Sequence, residues 1–161
     1  MKNNGFSLVE VLVATALVGV AIVALVAANS VFTQNNSAAL DLSTAEYLIE
    51  QIRELTMQNL SPGTGMLPVV DPDGGTTKEA SLALYDDIED FDNETFSPPI
   101  NADRQPLSIF AAFTQKVTVQ WINPSDFTQV ATVTSPFVRV TVDIYHHGYK
   151  LSSESWIRAK Y

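Results

Sequence analysis

The sequence predicts an α+β protein in which a long N-terminal helix, membrane-spanning in its first half, packs on an antiparallel β-meander. Three observations predict this fold. No charged residue occurs between Glu10 and Asp41, and no proline occurs between Phe6 and Leu60. A helix can therefore continue well beyond the apolar run. In the C-terminal third, apolar and polar residues alternate, as is typical of half-buried strands.

The apolar run is long enough to cross a bilayer. Val11 to Ala28 contains Thr15 as its only clearly polar residue. With its flanks the run gives about 25 helical residues, whereas a bilayer core of about 30 Å needs roughly 20. A buried core helix is usually shorter. A secretory signal peptide has a basic start and a shorter apolar core, but here only Lys2 precedes a longer run. We therefore expect membrane insertion.

Glu10 is unusual because it places a charge at the start of this run. On insertion scales a carboxylate at bilayer depth costs about 2.5–3.5 kcal/mol, and less near the boundary. Such a residue often marks a functional site and has a partner. Alternatively, it reaches the headgroups from a helix start, where the helix dipole favours negative charge. Position alone leaves both interpretations open.

The N-terminal motif carries a family resemblance. The segment Lys2–Glu10 reads KNNGFSLVE. It has a polar leader ending in Gly5, then Phe6, then an acidic residue five positions after the glycine, and the apolar helix follows. This pattern resembles the processing signal of the type IV prepilin-like family, which includes minor pilins and pseudopilins. The resemblance implies that prepilin peptidase cuts between Gly5 and Phe6 on the cytoplasmic side and then N-methylates Phe6. It also implies that Glu10 pairs with the Phe6 amine of a neighbouring subunit during assembly.

The resemblance also implies an organisation and a location. Residues 1–5 are the leader, 6–29 the transmembrane half of the helix, 30–60 its soluble half and 61–161 a pilin head. The expected location is the bacterial inner membrane before assembly, and the periplasm or a cell-surface filament afterwards. The implied partners are other pilin or pseudopilin subunits, prepilin peptidase and inner-membrane assembly machinery.

Three functions fit this pattern. The first is a minor type IV pilin, a structural filament subunit. The second is a pseudopilin of type II secretion, because the same motif serves both. The third is a membrane-tethered adhesive or binding module at a filament tip.

The soluble half of the helix has one apolar stripe that needs a cover. Its residues recur at steps of three and four; they are Leu42, Ala45, Leu48, Ile49, Ile52 and Leu55. The poor helix formers Asn35–Ser37 favour a bend or break before it. Ser61-Pro62-Gly63 is the first stop signal after it.

Four strands are predicted in the head, over residues 116–121, 127–133, 138–144 and 149–157. Turn residues separate them, at Asn123–Asp126, Ser135–Pro136 and His146–Gly148. These short connections favour an antiparallel meander with one apolar face. The stripe from Ala45 to Leu55 is the obvious cover for that face.

The segment from Ser81 to Phe96 is acidic, and its carboxylates would suit a hard cation such as calcium. We favour a solvated acidic loop, because no calcium-loop spacing is met. A loop starting at Asp71 would need a glutamate where Leu82 stands. The stretch Tyr85–Asp92 also resembles an acidic-aromatic patch of some minor pilins, including the mannose-sensitive haemagglutinin type, which favours a minor subunit.

Composition excludes several other classes. The net charge of −9 disfavours general nucleic-acid binding, since phosphate backbones would be repelled. The chain has no cysteine, which removes disulfides, thiol catalysis and zinc–thiolate sites.

The adjacent pair His146-His147 does not indicate a metal site. Adjacent residues of a strand point to opposite faces, so both rarely bind one metal ion. Because a glycine follows the pair, a turn is favoured over a metal site. No catalytic motif occurs. We expect no enzyme activity, no metal and no cofactor.

Overall fold

The computed structural model describes residues 7–58, 81–83, 85, 88–132 and 135–159. The chain divides into two compact units, Met1–Leu40 and Asp41–Tyr161. Helix α1, Leu8–Gln58, begins in the first unit and ends in the second.

Helix α1 is continuous through Asn35–Ser37, so the break predicted there is wrong. Each of these residues lowers helix propensity by only a few tenths of a kcal/mol, whereas the helical segments on both sides propagate cooperatively. The helix ends close to residue 60, where the predicted soluble half ends. The stop signal Ser61–Gly63 lies outside the described residues.

Every described side chain from Ser7 to Leu40 is exposed. Apolar residues such as Leu17 and Val20 are 65% and 70% exposed. Among the described residues, one helix, over Leu8–Met57, is long and apolar enough to cross a membrane by length and composition.

The second unit contains a five-stranded antiparallel sheet. Its strands are β1 (Thr95–Phe96), β2 (Phe113–Asn123), β3 (Asp126–Val130), β4 (Phe137–His146) and β5 (Tyr149–Ala159). The order is β1-β2-β4-β5, and β3 pairs only with the end of β2. The predicted α+β class is confirmed, and β1 is an addition to the predicted strands.

The strand β3 departs from the sequential order of a meander. It meets β2 only at Ile122↔Val130 and Asn123↔Asp126, while β4 pairs with β2 along nearly its full length, from Phe113↔His146 to Trp121↔Val138. The reason is burial, because alternate residues of β2 and β4 enter the core and those of β3 stay largely exposed. The predicted residue Val133 of β3 lies outside the described part of the chain.

The apolar stripe of α1 covers the sheet, as expected. Its members Ala45, Leu48, Ile49, Ile52 and Leu55 are at most 1% exposed. They share one core with the inward-facing residues of the sheet, among them Val117, Val138, Val140, Val142 and Ile144. Leu42, which continues the stripe in sequence, is 44% exposed and lies outside this core. Trp121 and Trp156 are partly buried against the core.

Polar contacts tie α1 to the sheet. The buried Gln115 of β2 accepts a hydrogen bond from the Ile100 N–H (2.7 Å) and donates one to the Leu48 carbonyl (2.9 Å). The Arg53 guanidinium lies 4.9 Å above the Trp156 ring and pairs with Glu154 of β5. Gln115 thereby gives hydrogen-bond partners to two buried backbone groups, the Ile100 N–H and the Leu48 carbonyl.

The β4–β5 connection is a two-residue turn, as predicted at His146–Gly148. His147 has φ 50° and Gly148 has φ 83°, so both central residues are left-handed, as a type I′ hairpin requires. Glycine adopts this conformation without strain.

Candidate functional site

The sequence places its candidate assembly site at the start of α1. Gly5 and Phe6, the predicted cleavage and methylation residues, lie outside the described residues. Glu10 is described, and it is the third residue of the helix.

Ser7 and Glu10 form a reciprocal cap at the helix start. Ser7 is the N-cap residue, since its carbonyl accepts the first helical bond, from the Val11 N–H (3.2 Å). The Ser7 N–H donates to Glu10 Oε2 at 3.1 Å, and the Glu10 N–H donates to Ser7 Oγ at 3.2 Å. The Ser7 hydroxyl also lies 3.4 Å from Oε2. This pattern is a capping box, which satisfies two helix N–H groups that otherwise lack helical partners.

The cap places the Glu10 carboxylate in the first turn of the helix, where the electrostatic potential favours a negative charge. The helix dipole stabilises a negative charge in the first turn. Within the described residues, both hydrogen bonds to the carboxylate reach Oε2, and Oε1 accepts none. The surrounding surface is apolar, since Leu8 and Val9 are 79% and 67% exposed.

Sequence reasoning did not find the role of Ser7. The signal was present, because Ser7-Leu8-Val9-Glu10 has the S-x-x-E spacing of a capping box. Charge and hydropathy single out Glu10, whereas the role of Ser7 follows only from which groups satisfy the N–H groups of the helix start.

The acidic segment is partly built into the head. Tyr85 is 6% exposed and Phe91 is fully buried, and both belong to the core. Asp90 is 5% exposed, and Asp92 Oδ1 accepts a hydrogen bond from the Val119 N–H at 2.8 Å. The two aromatic residues are therefore core residues and do not form a surface patch.

Part of this segment, Asp86 and Asp87, lies outside the described residues. Among the residues that are described, no group of three or more His, Asp or Glu side chains is arranged to hold a metal ion.

The two histidines lie side by side. His146 stacks on Phe113 with ring centroids 4.2 Å apart, and its Nδ1 is 3.3 Å from Asp41 Oδ2. The His147 ring is only 4.3 Å from that of His146. The turn favoured for this pair is present: His147 follows β4 and has a left-handed backbone with φ 50°, so the two rings are not held on opposite faces of a strand.

Comparison with known proteins gives one finding for the N terminus. Residues 1–26 match the family model described as Prokaryotic N-terminal methylation motif. No curated protein and no solved structure matches the chain. The matched range includes Gly5, Phe6 and the capped Glu10, and a long apolar helix continues from it into an α+β head. The chain therefore carries the N-terminal methylation motif that is the signature of type IV prepilin-like proteins.

Proposed function

We propose that the chain is a minor type IV pilin, a structural filament subunit that is anchored in the inner membrane and then assembled through its N-terminal helix. The observation that carries this proposal is the capped carboxylate of Glu10, which lies within the methylation motif at the start of the exposed apolar half of α1.

The exposed apolar half of α1 supports anchoring and assembly together. From Leu8 to Leu40 every side chain is exposed in the described part of the chain. Helix association in a membrane relies on packing and polar contacts between neighbouring helices. The same surface can thus face lipid before assembly and sister helices afterwards.

Processing supplies the partner of Glu10. In the proposed organisation, residues 1–5 are removed by prepilin peptidase, 6–29 span the membrane, 30–60 form the soluble half of the helix and 61–161 the head. The cut after Gly5 frees the Phe6 amine, which is then N-methylated and keeps a positive charge. A carboxylate and an ammonium are each costly alone in apolar surroundings, and removing one partner of such a pair costs several kcal/mol. Pairing between copies would therefore set the register of neighbouring helices.

The assignment as a minor subunit rests on the resemblance of Tyr85–Asp92 to acidic-aromatic segments of minor pilins. In the described part of this segment Tyr85, Asp90 and Phe91 are buried, so the assignment takes only the sequence resemblance from it. Quantitative mass spectrometry of sheared filaments tests the assignment, and we expect the chain at far below the amount of the main subunit. A chain that makes up most of the filament is a major pilin. A chain found only with secretion components is a pseudopilin.

Glu10→Ala is the decisive variant for the pairing role. We expect it to insert into the membrane and to be cut before Phe6 like the wild type, but to be lost from filaments by at least about tenfold, because an unpaired amine would remain in an apolar interface. Intact-mass spectrometry measures the start residue and methylation, and immunoblots of sheared filaments measure incorporation.

Glu46→Ala is the matched control, since Glu46 is an exposed glutamate of the same helix. It should assemble normally. Normal assembly of Glu10→Ala would contradict the pairing role, and an intact Met1 in the native protein would contradict the processing route.

A further inference from the structure

We infer that Ser7 is a positioning residue for assembly: its reciprocal hydrogen bonds with Glu10 hold one carboxylate oxygen at the helix start and leave the other for the neighbouring amine. This inference rests on the proposed function, because the neighbouring amine is the partner proposed there. It adds a residue and a geometry that the methylation motif alone does not specify.

The cap is made wholly of residues that remain after processing. Ser7 and Glu10 both follow the Gly5–Phe6 bond, and each of their mutual hydrogen bonds joins atoms of these two residues. The same cap can therefore form in the precursor and in the cleaved subunit. The new amine belongs to Phe6, the residue directly before the cap.

The cap restricts the carboxylate to one arrangement. A long, flexible glutamate side chain loses rotamer entropy when it is fixed in one arrangement. Here the Ser7 N–H and hydroxyl converge on Oε2, so part of that ordering precedes assembly. A pre-ordered group binds its partner more tightly than a free one. The oxygen left without a bond in the described residues, Oε1, is the one presented to the incoming donor.

The hydroxyl of Ser7 differs from other hydroxyls of this helix half. Thr15 donates to the Leu12 carbonyl at 3.0 Å, and Thr33 donates to the Asn29 carbonyl at 2.9 Å. Those two side chains bond only to their own helix backbone. The Ser7 hydroxyl accepts from the Glu10 N–H and lies against its carboxylate, so its loss would affect the assembly residue directly.

The experiment uses the full-length chain with Ser7→Ala and Ser7→Thr, and with Thr15→Ala as a matched hydroxyl control. Loss of an N-cap serine typically costs about 1 kcal/mol, which corresponds to about a fivefold change in an equilibrium. We expect Ser7→Ala to be inserted and cleaved normally, yet incorporated into filaments about fivefold less. Ser7→Thr should assemble close to wild type, because it keeps the oxygen. Thr15→Ala should assemble normally.

Amide hydrogen exchange in detergent micelles provides a readout that does not depend on assembly. We expect the Glu10 amide to exchange about fivefold faster in Ser7→Ala, and the Ser7 amide to exchange faster in Glu10→Ala. Unchanged exchange in both variants would overturn the cap, and incorporation of Ser7→Ala at the wild-type level would overturn its role in positioning. If Glu10→Ala assembles normally while exchange changes as expected, the proposed function has failed and the cap itself remains.

Discussion

The two halves of α1 meet different surroundings although they form one continuous helix. From Ser7 to Leu40 every described side chain is exposed, whereas from Ala45 to Leu55 one stripe is completely buried under the sheet. Both halves are rich in aliphatic residues. The difference lies in their pattern, since Val11–Ala28 is apolar on all faces and the second half on one face only. Apolar character all round a helix indicates an external apolar environment, and a single stripe indicates a partner within the chain.

This comparison predicts that substitutions in the two halves of α1 have different effects. Substitutions in the exposed half should alter insertion or assembly and leave the unfolding of the head unchanged. Substitutions in the buried stripe should destabilise the head, because its core consists of α1 and the sheet together.

The largest expected effect comes from Leu48→Ala, compared with Leu25→Ala. Leu48 is fully buried and Leu25 is 71% exposed. Truncating a buried leucine costs about 2–5 kcal/mol, so Tm of the head should fall by about 10 °C or more. Leu25→Ala should leave that transition in place. Near-UV circular dichroism of the full chain in detergent follows the two tryptophans of the head. An equal fall in Tm in both variants would contradict the difference in burial between the two halves of α1.

A smaller effect is expected at a buried hydrogen bond to the helix. Gln115→Leu removes the acceptor of the buried Ile100 N–H and the donor to the Leu48 carbonyl. An unsatisfied buried amide costs about 1–3 kcal/mol, so Tm should fall by several degrees in the same assay. Thr15→Val removes a hydroxyl bond to a helix carbonyl in the exposed half, and it should leave the transition of the head unchanged.

The exposed Gln120 of the same strand gives a second control. Gln120→Leu should stay close to wild type, because its side chain lies outside the core. If Gln115→Leu also unfolds at the wild-type temperature, the hydrogen bond between β2 and α1 contributes nothing to the stability of the head.

Periodicity predicted most of the fold. The helix, the strands β2, β4 and β5 and the turn at His147–Gly148 all follow from local patterns of burial and backbone preference. The position of β3 did not, because pairing between strands depends on which residues of distant segments share the core. The helix predicted to continue beyond the apolar run does so, without the break that the weak helix propensities of Asn35–Ser37 favoured, because helix formation is cooperative.

The candidate site was predicted in part. The charge of Glu10 inside an apolar run drew attention to it, and the methylation motif matches the residues around it. Ser7 escaped notice because its contribution is a hydrogen-bond geometry, which charge and hydropathy do not reveal. Cleavage before Phe6, its methylation and the pairing of Glu10 stay predictions.

The smallest expected effect concerns a carboxylate of the head, Asp143 on β4. Burial raises the pKa of Asp143, but hydrogen bonds from Lys150 (2.7 Å) and Ser153 (2.5 Å) and the charges of Lys150 and Lys116 outweigh it, so the pKa lies below its ordinary value of 3.8. The group therefore stabilises the fold above pH 3.8, and this stabilisation is lost as the pH falls through the lowered pKa. Asp143→Asn should lower Tm at pH 7 by no more than about 3 °C, since such partly exposed pairs contribute little.

The difference in Tm between wild type and Asp143→Asn should narrow as the pH falls from 3.8 through the lowered pKa of Asp143, because the aspartate is neutral, like the asparagine, only below that pKa. Asp103→Asn is the control, since Asp103 is an exposed aspartate of a head loop, and it should follow the wild type at every pH. A difference that stays constant down to pH 2 would show that the variant acts through packing and not through charge. Such a result would place Asp143 with the buried contacts of the head.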